Sequence, residues 1–214
     1  MTVEYKLYQE VTGELKARSR QQRLAAAALG LERLWPMFEE WTTTEGHMLL
    51  YRRPAEFQTP VRRMLDACWQ QIDSETAIKP LQEQYSSLLR FMSASFDEDD
   101  GPNVDFAAGK PLIDELFCGV RCFFAEDSQA CYASACVTAY SGYLFEKLYD
   151  ECCDNESSWQ PPLSKTIEET IAAHPSWQRE LAEIRCNLAL VNQFSGDVAS
   201  LYRRREEIWR MEDR

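Results

Sequence analysis

The sequence predicts an all-α protein, a single-domain antiparallel helical bundle of seven to nine helices over residues 1–214. Three observations carry that expectation. Apolar residues recur at steps of three and four along nearly the whole chain. No stretch alternates apolar and polar residues between hairpin turns, so nothing reads as a sheet. The breaks between periodic segments are short, which favours antiparallel neighbours, and none has the composition of an interdomain linker. With 214 residues, 45% of them hydrophobic, the chain can bury a core without disulfides.

The elements follow in order. Val3, Leu7, Val11 and Leu15 mark a first helix. Leu24, Ala28, Leu31, Trp35 and Phe38 mark a second, alanine-rich and strongly helix-favouring, which Pro36 should kink or end. "TTTEGHMLLYRRP" reads as a loop. Phe57, Val61, Leu65, Cys68 and Ile72 give a third helix, and Ile78, Leu81, Tyr85, Leu88 and Met92 a fourth. "DEDDGPNVD" breaks the pattern. A fifth helix starts near Pro111 and uses Leu112, Leu116, Val120 and Phe123. A sixth uses Tyr132, Cys136, Tyr140, Tyr143 and Leu148, and "DECCDNESSWQPP" follows as a loop. A short helix runs from about Leu163 to Ala173. Pro175 opens a long last helix through Leu181, Ile184, Leu188, Val191, Val198 and Tyr202, which Gly196 interrupts or leaves whole.

Four of the eight cysteines lie in "FCGVRCFFAEDSQACYASACVTAY". Cys118 and Cys122, four apart, share a helix face. Cys131 and Cys136, five apart, point about 140° away from each other. There is no Cys-x-x-Cys, and His47 and His174 are the only histidines. Structural zinc needs four converging ligands, so the stretch reads as helix-pair core, with the cysteines acting as small hydrophobes. Acidic neighbours of Cys152 and Cys153 disfavour a reactive thiolate.

Enzyme templates fail one by one. The chain has no Gly-x-Ser-x-Gly elbow, phosphate-binding glycine loop or dinucleotide fingerprint. An EF-hand with its glycine at Gly101 would put Phe96 and Ala107 at its first and last ligand positions, where carboxylates are required. Glu32, Glu39 and Glu40 lack the Glu-x-x-His partners of a carboxylate metal cluster. His47 and His174 read as loop or cap residues. The expectation is therefore no enzyme, no cofactor and no metal.

Net charge is −12, and its distribution says more than its size. Acids and bases balance over residues 1–90 and again over 170–214. Over 91–169, sixteen acids face only Lys110, Arg121, Lys147 and Lys165. The excess reads either as a solvated face that aids solubility or as an interaction face that attracts a basic macromolecule. Direct binding of nucleic acid is disfavoured, because phosphate contacts need a basic patch. No stretch is apolar over a membrane's width, and the N-terminal residues lack a signal pattern, so a soluble cytoplasmic protein with no membrane partner is expected.

"RSRQQRLAAAALGLERLWPMFEEW", followed by "RRPAEFQTPVRRMLDACWQQI", resembles the N-terminal half of the all-helical immunity proteins of bacterial polymorphic toxin systems. The resemblance lies in Arg23 before an alanine-rich helix, then Glu32-Arg33-Leu34, Pro36 and Phe38, then an Arg-Pro and an Asp-Ala-x-Trp helix end. A related group of small helical bacterial proteins of unknown function has a similar "ERLxP" pattern. The resemblance implies an inhibitor that neutralises a cognate toxin, with no catalytic residues. The acidic excess fits a toxin whose binding surface is basic. On this reading the contact residues are Asp97, Glu98, Asp99, Asp100 and Asp105 in one loop. Asp150, Glu151, Asp154 and Glu156, with Trp159 as an aromatic anchor, form the other. Trp159 reads equally well as folded onto the core. The alternative is a helical adaptor or regulatory protein without a toxin partner, self-associating through the C-terminal helix.

Overall fold

Thr2 begins the first helix by accepting a hydrogen bond from the Tyr5 amide, 3.2 Å away. Ser19 begins the second. Its hydroxyl accepts from the Gln22 amide while the Gln22 side chain accepts from the Ser19 amide, a reciprocal capping box. The computed structural model describes residues 2–43, 56, 58–74, 78–93, 120–124, 128–152 and 165–211. Among these are eight helices and no strand: α1 Val3–Lys16, α2 Arg20–Thr43, α3 Gln58–Asp73, α4 Ile78–Ser93, α5 Gln129–Cys152, α6 Lys165–Ala173, α7 Pro175–Gln193 and α8 Ala199–Met211. The all-α expectation holds. Most of the expected fifth helix and the loop expected at "TTTEGHMLLYRRP" lie outside the described residues; of the former, Val120 and Phe123 are buried.

Four boundaries differ from the sequence reading or resolve it. Helix α2 continues through Pro36 to Thr43, because Phe38 and Thr42 beyond the proline are buried and hold the chain in helical register. Helix α5 continues through Asp150 and Glu151 to Cys152, where a loop was expected to begin. The interruption at Gly196 is real. Its φ of 109° suits glycine, and it separates α7 from α8. Pro175 opens α7, with His174 as the cap: its Nδ1 accepts from the Ser176 amide.

Helix α2 is the axis of the fold. Leu24, Leu29, Leu31, Leu34 and Phe38 are sealed, and Ala25–Ala28 are buried with them. One apolar cluster draws on all eight helices. Glu32 meets Arg62 and Thr42 meets Gln58, so α2 and α3 run antiparallel. Gln22 reaches the Asn192 carbonyl and Arg33 pairs with Glu180, so α2 and α7 do too. Ser141 donates to Glu180 and Phe145 packs on Trp177, which sets α5 antiparallel to α7. The two 24-residue helices α2 and α5 therefore lie side by side and parallel.

Small side chains make the α2–α5 contact possible. A Cβ on Gly30 would stand 2.4 Å from the Cys136 carbonyl oxygen, closer than any non-bonded contact tolerates. The small-residue stretch of α5 thus packs on α2. Cys136 is buried there as a small hydrophobe, and Cys122, beside Gln129 at the start of α5, is buried too; Cys118 lies outside the described residues. Cys131 corrects the expectation, since it is exposed. Tyr143, placed in the core by its spacing, is half exposed as well.

Candidate functional site

Of the expected contact residues, the structure describes Asp150 and Glu151. Both are exposed, and both sit in the last turn of α5. Asp97, Glu98, Asp99, Asp100, Asp105, Asp154, Glu156 and Trp159 lie outside the described residues.

Asp150 belongs to a longer stripe. Tyr143, Glu146 and Asp150 recur at three- and four-residue spacing and so share one exposed edge of α5, with Lys147 beside them. Helix α1 lies antiparallel along this edge, with Glu4 near Gly142 and Glu146 and Tyr8 near Cys131. Glu4 Oε1 is 3.3 Å from the position a Gly142 Cβ would take, so the missing side chain leaves space for the carboxylate. Burial, and then the charge of Glu146, hold the Glu4 carboxyl above the usual carboxylate range. Burial also raises the Tyr8 phenol.

A groove of about 300 Å³ runs between the two helices, with Glu4, Tyr5 and Tyr8 on one wall and Ala135, Ala139 and Gly142 on the other. Tyr5 and Tyr143 stand out from the surface at 48% and 50% exposure. Their phenols lie on helices rather than loops, and each has a neighbouring tyrosine ring, Tyr8 at 6.4 Å and Tyr140 at 6.5 Å. Chemically the face offers carboxylates and fixed phenol rings, a combination that receives cationic side chains through ion pairing and cation–π contact. The sequence reading missed Glu4, Tyr5, Tyr8 and Glu146. The spacing of Tyr143, Glu146 and Asp150 was visible, but the approach of α1 was not.

A second polar centre joins α2, α3 and α8. Glu32 is fully buried. Its Oε1 accepts from Arg62 Nη2 and Trp69 Nε1, each at 2.6 Å, and its Oε2 from Arg62 Nη1 at 2.8 Å and Trp209 Nε1 at 3.0 Å. Arg205 Nε adds an ion-pair contact at 2.9 Å without hydrogen-bond alignment. Asp66 bridges the two arginines. The Arg62 guanidinium lies between Trp35 and Trp209, at 5.1 and 5.3 Å from the ring centroids. Two carboxylates and two guanidiniums cancel, so this centre is neutral. It accounts for Glu32, which the sequence analysis considered and set aside as a metal-cluster ligand: its acceptor capacity is filled by four N–H donors. A parallel centre pairs buried Arg33 with Glu180, which also accepts from Ser141 at 2.7 Å.

Among the described residues no group of three or more His, Cys, Asp or Glu side chains converges as a metal site, and no helix is long and apolar enough to cross a membrane. No protein-family model, curated protein or solved structure matches this chain. The class that the fold defines is an all-α helical bundle.

Proposed function

We propose that this protein acts by binding another protein, one with a basic surface, at the face formed by α1 and the C-terminal half of α5. In line with its sequence resemblance, that partner is a cognate bacterial toxin and binding inhibits it. The observation that carries the reading is the juxtaposition of Glu4 and Glu146 beside exposed Tyr5 and Tyr143. Burial first, and the charge of Glu146 second, raise the proton affinity of Glu4, a cost that an incoming lysine or arginine relieves. The tyrosines supply rigid contact area at little cost in side-chain entropy. Asp150 and Glu151 extend the negative field along the end of α5, which speeds encounter with a basic partner.

Capture from a lysate of the native host, at low and at moderate salt, tests the reading. One basic, toxin-like protein retained at low salt and weakened at moderate salt supports it. Recovery of a housekeeping complex indifferent to salt contradicts it and favours an adaptor.

A further inference from the structure

We propose that the groove between α1 and α5 receives one arginine side chain of the basic partner, its guanidinium on the Glu4 carboxylate and its stem along Ala135 and Ala139. The inference rests on the α1–α5 reading above and narrows it from a charged face to a single socket. The eight described residues that line the groove include one carboxylate, Glu4, and no base. Other polar atoms of the lining are already engaged. Thr2 accepts from the Tyr5 amide at 3.2 Å, Thr138 donates to the Ser134 carbonyl at 2.9 Å, and the Tyr5 phenol oxygen accepts from Gln9 at 2.8 Å. Glu4 differs. Among the described residues its carboxylate accepts no hydrogen bond and joins no ion pair. The neighbouring charge that acts on it is that of Glu146, which has the same sign. A half-buried carboxylate so placed lacks a counter-charge, and both its oxygens are open to the paired N–H groups of one guanidinium.

Shape selects the same occupant. Ala135, Ala139 and Gly142 give the α5 wall side chains of one carbon or none, and the space of about 300 Å³ holds one long side chain. The alanine methyls suit an aliphatic stem, since arginine buries its methylenes along apolar surface. Tyr5 and Tyr8, with ring centroids 6.4 Å apart and planes 32° apart, supply aromatic surface in the same lining, on which a guanidinium stacks. Lysine brings a compact ammonium that neither forks onto a carboxylate nor stacks, so the groove favours arginine over lysine.

NMR titration of the full chain with N-acetyl-arginine amide tests it, read at the Glu4 side-chain carboxyl and the Gly142 amide. Both signals should move together and saturate with a Kd of about 1–10 mM, the range of one side chain without the rest of its partner. N-acetyl-citrulline amide, similar in shape but uncharged, should leave them in place. N-acetyl-lysine amide should bind at least about threefold more weakly. Ala135→Met fills the groove with an uncharged, helix-favouring side chain and should weaken arginine binding at least about fivefold. No saturation by about 50 mM, an equal response to citrulline or to lysine, or unchanged binding by Ala135→Met would overturn the proposal. The broader reading fails separately. A native partner that Ala135→Met retains, but that reversal of Glu4, Glu146 and Asp150 to lysine loses, binds the acidic face without entering the groove, which overturns the socket alone.

Discussion

Gly30 of α2 and Cys136 of α5 meet backbone to backbone. A methyl group on Gly30 would fall 2.4 Å from the Cys136 carbonyl oxygen and 2.6 Å from its carbonyl carbon. Neither atom is the end of a flexible side chain, so the helices themselves must separate. Gly30→Ala should destabilise the protein by about 2 kcal/mol, although alanine favours helix by about 1 kcal/mol over glycine. Urea unfolding followed by circular dichroism measures this. A stabilised variant would mean that α2 and α5 do not cross so closely.

Glu32 gathers α3 and α8 onto α2. Glu32→Gln keeps the shape but removes the charge that answers Arg62 and Arg205, and its amide nitrogen brings donors to face donors. Loss of one partner from a buried ion pair costs about 3–5 kcal/mol. Unfolding should occur at a correspondingly lower denaturant concentration. Since Trp69 and Trp209 both touch this carboxylate, indole fluorescence reports the same change. A variant as stable as the parent would contradict the network.

Much of the fold was legible in the residues, and for physical reasons. Leu7, Val11 and Leu15, or Leu65, Cys68 and Ile72, announce their helices because burial on one face imposes the helical period. Pro36, expected to kink or end its helix, does not end it, because buried Phe38 and Thr42 carry the helix on to Thr43 against the proline's intrinsic propensity. Tyr143 misled because a tyrosine satisfies the apolar period wherever its ring finally points. The Glu32 centre could not be read, since it joins residues 32, 62, 66, 69, 205 and 209. No local pattern links positions so far apart in sequence. The α1–α5 face is the intermediate case: its α5 half had a visible spacing, and its α1 half came from packing.

Thiol reactivity should follow burial. Burial pushes the Cys122 thiol up to about 12 and raises Cys68 well above its ordinary value. With iodoacetamide at neutral pH, Cys131, Cys152 and Cys186 should be modified in the folded protein. Cys68, Cys122 and Cys136 should be modified only after unfolding. Peptide mapping by mass spectrometry distinguishes the two groups, and rapid labelling of Cys68 or Cys122 would contradict the packing.

The Glu4 carboxyl should respond to its neighbour. Burial and Glu146 raise its folded pKa, so the ionised form is the disfavoured one. The resulting loss of stability is present above the folded pKa and disappears as pH falls through it toward the ordinary carboxylate value. Glu146→Gln should lower the Glu4 pKa, leaving the part that burial causes. Side-chain NMR titration reads this directly, and an unmoved Glu4 would mean that the two carboxylates do not share a face.

The most direct test of the acidic face is a quantitative capture comparison at low salt. Three baits are compared: the parent protein, a variant with Glu4→Lys, Glu146→Lys and Asp150→Lys, and a control with Glu83→Lys on α4. The parent and the control should retain the same basic protein, and the triple variant should lose it. If the triple variant, folded by circular dichroism, retains that protein as well as the parent does, the face formed by α1 and α5 is not where the partner binds.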